Sequence, residues 1–131
     1  MTFKRISPPE MAEPIFNAYS HGIVIPPGCE VLFSSGQVGN RKDGTLPPDF
    51  GDQTRQVWDN ILAILKAADM AVTDIIKVTQ LIVGKDNFPK YVEIRKGYLA
   101  GHSPAMTGFF VPALVKPEML VEVEIIAAKK R

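Results

Sequence analysis

Residues 52–83, DQTRQVWDNILAILKAADMAVTDIIKVTQLIV, contain both kinds of secondary structure on which the fold depends. In the first part, apolar residues recur at three- and four-residue spacing, which predicts an amphipathic helix over Asp52–Met70 with Asp52 as its cap. The last part, Asp74–Val83, is rich in β-branched residues and predicts a strand. A helix followed closely by a strand is typical of folds in which helices pack on a sheet.

The rest of the chain supplies further strands and one more helix. A hairpin is predicted where the apolar runs GIVI and EVLFSS flank the turn Pro26–Pro27–Gly28. The other predicted elements are a strand at Phe3–Ile6, a helix at Asn87–Leu99, a strand at Ala105–Val111 and a strand at Leu120–Ala128. The order is β-β-β-α-β-α-β-β, and we expect an α+β fold with one sheet and both helices on one of its faces.

The second face of such a sheet would be too apolar to lie in water. The strands GIVI, EVLFSS, DIIKVTQLIV and LVEVEIIAA carry more apolar side chains than one layer of helices can cover. We therefore expect the chain to assemble with copies of itself through this face.

Composition limits the class of protein. The chain has 131 residues, 46% hydrophobic and 22% charged, which predicts a single domain, 1–131, whose core needs no disulfide or metal. Lys plus Arg is 15 and Asp plus Glu is 14, so the net charge is +1 and no nucleic-acid partner is expected. No apolar run is long enough for a membrane span, and MTFKRISPPEMAEP lacks the apolar core of a signal peptide. The single Cys29 fits a reducing compartment, so we expect a cytoplasmic protein with no membrane partner.

The sequence contains none of the common catalytic and cofactor motifs. There is no P-loop, no GxGxxG, no HExxH, no GxSxG and no CxxC. His21, Cys29 and His102 do not have the spacing of a structural zinc site. We therefore expect no cofactor and no metal.

Candidate site residues in the loops each have an ordinary structural interpretation as well. Gly36, in Ser34–Gln37, would let a ligand approach the backbone, or it marks a strand bulge. Tyr19 could donate its hydroxyl to a ligand, or it packs with its tip in water. His21 and His102 have no carboxylate or nucleophile at a telling spacing, which favours ordinary surface residues.

Two strands carry the remaining candidates. Alternation places Glu122 and Glu124 on one face of the last strand, where a carboxylate among apolar neighbours could act as an acid or base. The alternative is a solvated strand face. Met106, Gly108 and Phe110 share a face of the preceding strand, where Gly108 leaves room for a ligand beside Met106. The alternative there is a core strand with Met as a gap-filler.

Taken together, several segments resemble the Rid family of reactive intermediate deaminases, also called the YjgF or L-PSP family. They are Ala18–Ser20, VLFSSGQVG, QVWDNILAILKAADM, DIIKVTQLIV, DNFPKYVEIR, HSPA and VEVEIIAAKK, in this order over residues 17–130. The resemblance implies a chorismate-mutase-like α+β unit that forms a homotrimer. In such a trimer the sheets form a central barrel, the helices lie outside, and the ligand clefts lie between subunits.

The resemblance also implies site residues. Family members of the deaminase type hydrolyse enamines and imines to ammonia and a 2-keto acid. Their substrate-binding Tyr and Gly correspond to Tyr19 and Gly36, and their backbone contact on the fifth strand corresponds to Gly108. Their water-handling Glu corresponds to Glu124, with Glu122 as the alternative carboxylate on the same face.

The sequence departs from the deaminase pattern at Met106. Deaminases carry an Arg there that binds the substrate carboxylate, and a thioether has neither the charge nor the paired donors. We expect little or no hydrolysis of 2-iminobutyrate or 2-aminoacrylate, because the preferred substrate lacks a carboxylate at this point or binds it elsewhere. The alternative anchors for the carboxylate are Arg41, Arg95 and Lys116 of a neighbouring subunit.

Two functional hypotheses follow from the resemblance. The first is a deaminase-like hydrolase acting on a small imine-like or enamine-like metabolite. The second is a non-catalytic trimer that binds a metabolite or has a regulatory role. The L-PSP name also carries an endoribonuclease activity, and the net charge of +1 argues against it here.

Overall fold

The computed structural model describes residues 3–15 and 18–131. Within them, the elements follow the predicted order β-β-β-α-β-α-β-β. In chain order they are β1 Lys4–Ile6, β2 Gly22–Val24, β3 Cys29–Phe33, α1 Phe50–Ala67, β4 Ile75–Ile82, α2 Phe88–Leu99, β5 Ala105–Phe110 and β6 Val121–Lys130. Phe16 and Asn17, the latter at the start of the segments that resemble the Rid family, lie outside the described residues.

The strands form two sheets where the sequence predicted one. Strands β1 and β2 make a small antiparallel sheet, and the main sheet has the order β3-β6-β4-β5. The predicted hairpin between β2 and β3 is therefore wrong, since β2 pairs with β1 and β3 pairs with β6. Pro26 and Pro27 have no N–H to donate to a ladder, so the chain leaves β2 at Val24 without a paired turn.

Helix α1 has a different cap from the one predicted. It begins at Phe50, ahead of Asp52, and the Asp49 carboxylate accepts a hydrogen bond of 3.0 Å from the Asp52 N–H. Asp52 lies in the first turn, where its negative charge is favourable to the helix dipole. Helix α2 begins after Asn87 and tolerates Pro89 in its first turn, as predicted.

Both helices pack on one face of the main sheet, which confirms the predicted α+β layering. The buried side chains alternate along β4 and β6, because successive residues of a strand point to opposite faces. The main core residues are Val57, Trp58, Ile61 and Leu65 of α1, Val78 and Ile82 of β4, Tyr91 of α2, and Val121, Val123 and Ile125 of β6.

The other face of the main sheet has no second layer over it in the described part of the chain. Phe33 of β3 is 72% exposed there, and Phe109 of β5 is 53% exposed. Glu122 and Glu124 of β6 lie on the same face, as the alternation predicted. Large exposed aromatic side chains beside carboxylates are typical of a surface that another protein covers.

Candidate functional site

A cavity of about 330 Å³ lies between β5 and α2, and three of the predicted site residues line it. Tyr19, Met106 and Gly108 are at its wall together with Phe88 and Val92 of α2. Its size is in the range of small-molecule sites, and its lining is mostly apolar. A neighbouring cavity of about 570 Å³ shares Phe88, Val92 and Arg95.

The register of β4 and β5 determines which side chains reach this cavity. The two strands are parallel, with Met106 opposite Val78 and Gly108 opposite Gln80. Because Val78 faces the helices, Met106 and Gly108 face them too, and Met106 packs against the core. A Cβ added at Gly108 would lie 3.6 Å from the Gln80 side chain, an ordinary contact, so sterics do not require glycine here.

Gln80, Tyr91 and Arg95 form a buried polar cluster at the inner end of the cavity. The Gln80 Oε1 atom accepts a hydrogen bond of 2.7 Å from the Tyr91 hydroxyl and one of 2.8 Å from the Arg95 Nη1. The Arg95 guanidinium also lies 5.5 Å from the centroid of the Tyr91 ring, within cation–π range. Burial raises the pKa of Tyr91, so its hydroxyl keeps its proton and acts as a donor.

Sequence reasoning missed the role of Gln80. The signal was present, since Gln80 alternates with Val78 and Ile82 on the face that the strand buries. An amide at such a position requires partners, and the side chains of Tyr91 and Arg95 supply them from α2. Arg95 lines the cavity of its own chain, whereas the sequence analysis considered it as an anchor from a neighbouring subunit.

Gly36 and Glu122 form a second group of predicted site residues. The chain after β3 continues beside β6, where Gln37 and Val123 exchange backbone hydrogen bonds of 2.7 and 3.0 Å. A Cβ at Gly36 would overlap the Glu122 carboxylate, at 2.8 Å from its Cδ. Glu122 is half-buried, whereas Glu124 is exposed. Glycine at position 36 therefore leaves the space that the Glu122 carboxylate occupies.

One copy of the chain does not bring the two groups together. Met106 and Gly108 lie on the helix face of β5, at one edge of the sheet. Gly36 follows β3, at the other edge, and Glu122 lies on the opposite face, opposite Leu81 in the ladder. The strand β4 separates β5 from β6, and neighbouring strands are about 4.8 Å apart.

The two histidines form hydrogen bonds within the structure. The His21 Nε2 contacts the Ala12 carbonyl at 2.7 Å. The His102 Nε2 lies 2.6 Å from the Ile75 carbonyl, and its Nδ1 lies 3.2 Å from the Arg5 guanidinium. Because Arg5 can only donate, Nδ1 accepts and Nε2 carries the proton. His102 thus joins the small sheet to β4 in its neutral form.

This contact is expected to make the protein less stable as the pH falls. Burial lowers the pKa of His102, and the positive charge of Arg5 lowers it further. The hydrogen bond to Ile75 and the negative charge of Asp74 raise the pKa and offset part of this shift. The unfolded chain therefore binds the proton more readily, so the contribution is complete above the unfolded pKa of about 6.5 and is lost as the pH falls below it. Melting temperatures measured from about pH 7.5 to about pH 5 should drop more for the native chain than for His102→Gln. If the melting temperatures of the two chains fall by the same amount over this pH range, protonation of His102 is not the cause of the loss.

Neither helix of the described residues is long and apolar enough to cross a membrane. In the same residues, no group of three or more His, Cys, Asp or Glu side chains is arranged to hold a metal ion.

Comparison with known proteins places the chain among related sequences and structures. The family model described as Endoribonuclease L-PSP matches residues 11–129. A RutC family protein of Pyrococcus horikoshii is 40% identical over 101 residues, which are 76% of this chain and 79% of that protein. A 2-iminobutanoate/2-iminopropanoate deaminase of Rattus norvegicus is 32% identical over 114 residues, 86% of this chain and 80% of the deaminase. The crystal structure of the Rid family protein YyfB from Yersinia pestis has a TM-score of 0.85 at 27% identity, covering 98% of this chain and all of that one.

Proposed function

We propose that this chain, which belongs to the Rid family of L-PSP-type proteins, is a deaminase-like hydrolase that acts on a small imine or enamine. A relative named as an imino acid deaminase, 32% identical over most of its length, supports hydrolysis of this class. The observation that carries the proposal is the apolar cavity that Tyr19, Met106 and Gly108 line. The chain also carries a half-buried carboxylate beside Gly36, which a second copy would bring to this cavity.

The proposed reaction site lies between two copies of the chain. In a single copy the cavity lies on the helix face of the sheet at β5, whereas the Glu122 carboxylate lies on the other face of β6. Two different copies must therefore supply the cavity and the carboxylate. The exposed Phe33 and Phe109 side chains support association through this face, and we propose a homotrimer. In the assembled cleft, the carboxylate orients a water molecule and removes its proton as the water oxygen attacks the imine carbon, and the C=N π electrons move to the nitrogen. The nitrogen takes up protons, the C–N bond of the resulting carbinolamine breaks, and ammonia leaves while the carbon keeps its oxygen as a carbonyl.

Of the two carboxylates on β6, the geometry favours Glu122 for this role. It is half-buried in the single chain and lies in the space that Gly36 leaves open, whereas no such space holds Glu124, which is exposed in the single chain. Glu124, the position that matches the family pattern, is the alternative.

The net charge of +1 and the apolar lining of the cavity argue against RNA as the substrate. The test for RNA is whether any ribonuclease activity follows the protein through successive columns and depends on the same carboxylate.

Ammonia release from imines generated in solution tests the proposed function. We expect slow or no release from 2-iminobutyrate and 2-aminoacrylate, because Met106 supplies no charge for a carboxylate next to the reacting carbon. Release should be faster from imines that carry no carboxylate there. Light scattering on the same sample should give the mass of three copies. A stable monomer at micromolar concentration would contradict the proposal that the cleft is shared between copies. Binding of a ligand without any release of ammonia would favour the non-catalytic hypothesis.

A further inference from the structure

We propose that Arg95 of α2 binds the carboxylate of the ligand in the cavity between β5 and α2. This inference rests on the proposed function, because it gives the ligand of that same cleft an anionic end. The anion-binding group is then on helix α2 and not on strand β5, where Met106 has no charge. The ligand is then a small monocarboxylate whose carboxylate is held by α2 and whose body contacts the apolar wall.

The Arg95 side chain is held in a fixed orientation. Its Nη1 donates to the Gln80 Oε1 at 2.8 Å, and the Tyr91 hydroxyl donates to the same oxygen at 2.7 Å. Since both partners are donors, the Gln80 oxygen must face them and its Nε2 must face the Thr107 carbonyl, 3.4 Å away. A guanidinium that is oriented before the ligand arrives loses less conformational freedom on binding.

The charge of Arg95 has no acidic partner among the described residues. The side chain is only 4% exposed, yet the four ion pairs of that part of the chain all involve other residues. Of the five N–H groups of the Arg95 guanidinium, one donates to Gln80. The Arg95 Nε has no hydrogen-bond partner among the described residues. A buried cation without a counter-ion is costly, and a carboxylate that enters the cavity supplies both the charge and the missing acceptors.

The remaining wall of the cavity determines the rest of the ligand. Phe88, Val92, Met106 and Phe110 give it an apolar surface, and the described residues that line it include no lysine or histidine. A single buried cation matches a single negative charge, so a monocarboxylate fits better than a doubly charged phosphate. The volume of about 330 Å³ suits a short aliphatic or aromatic acid.

Binding assays on matched acids and amides test this inference without any need for turnover. We would titrate the native assembly with 3-methylbutanoate and 3-phenylpropanoate, and with the corresponding primary amides, by ligand-observed NMR or calorimetry. A charge-assisted hydrogen bond contributes a roughly ten- to hundredfold gain in affinity, so each acid should bind at least about tenfold more tightly than its amide. Inorganic phosphate, the competing anion, should bind more weakly than either acid.

Two variants assign the preference to Arg95. Arg95→Met should lower the affinity for the acids to that for the amides. Gln80→Glu keeps an acceptor for both Tyr91 and Arg95 but places a negative charge beside the guanidinium, which competes with the carboxylate of the ligand. It should therefore cause the same loss even if Arg95→Met does not fold. Arg55→Gln, at an exposed arginine of α1, is the matched control and should leave the preference unchanged.

Equal binding of acids and amides by the native chain would overturn the inference, and so would a preference that survives Gln80→Glu. Binding that prefers phosphate, or no binding of either acid at millimolar concentration, would also overturn it. These outcomes are separate from the proposed function. If the chain prefers acids but releases no ammonia, the inference about Arg95 holds and the proposed hydrolase activity is wrong. If it releases ammonia but does not prefer acids, the proposed activity holds and the inference about Arg95 is wrong.

Discussion

Glu122→Gln is expected to lower the rate of imine hydrolysis by about 10²–10⁴-fold, the usual contribution of a positioned acid or base. An amide keeps the size of the side chain and can still contact a water molecule, but it cannot accept the proton that the water must lose. The change is measured as kcat for ammonia release from the fastest imine substrate. Because Glu122 lies on the exposed sheet face beside Gly36, we expect the fold to persist.

Two further variants make this expectation specific. Glu124→Gln changes the neighbouring carboxylate on the same face and should lower kcat much less, because Glu124 is exposed to solvent. Gly36→Ala adds a Cβ where the Glu122 carboxylate now lies, so it should displace that flexible side chain and lower kcat without unfolding the protein. If Glu124→Gln gives the large loss and Glu122→Gln does not, the water-handling role belongs to Glu124.

The order of elements could be predicted from the sequence because it depends on local periodicity. The helical spacing of Val57, Ile61 and Leu65 and the alternation along β6 are both properties of neighbouring residues, and the structure buries these residues as predicted. The pairing of strands is not a local property. GIVI and EVLFSS are neighbours in sequence, yet β2 pairs with β1 and β3 pairs with β6, nearly a hundred residues later, as Val31 opposite Ala128 illustrates.

The candidate site could be predicted only in part, and from resemblance to a family rather than from periodicity. Resemblance located Tyr19, Met106 and Gly108, and the structure places all three at one cavity. It could not reveal that Arg95 reaches the same cavity, since that depends on how α2 lies across β5. The link between them is Gln80, a polar residue in an apolar strand, whose partners are 11 and 15 residues away in sequence.

Gln80→Leu is expected to destabilise the protein by about 3 kcal/mol, because it leaves buried donors, one of them charged, without their acceptor. Leucine is similar in size, so the loss comes from two buried donors, the Tyr91 hydroxyl and the Arg95 guanidinium, that no longer have an acceptor. Urea unfolding at a fixed protein concentration measures the effect, because association contributes to the stability of an oligomer.

The matched variants separate the acceptor from the packing. Tyr91→Phe removes one donor and leaves Gln80 paired with Arg95, so it should cost only about 1 kcal/mol. Gln80→Glu retains the acceptor and adds a charge opposite to that of Arg95, so it should lose far less stability than Gln80→Leu. If Gln80→Leu costs no more than Tyr91→Phe, solvent or another group satisfies the guanidinium in the variant. Gln80 would then not be what holds Arg95 in place, and the orientation of the carboxylate-binding group would have to come from the packing of α2 alone.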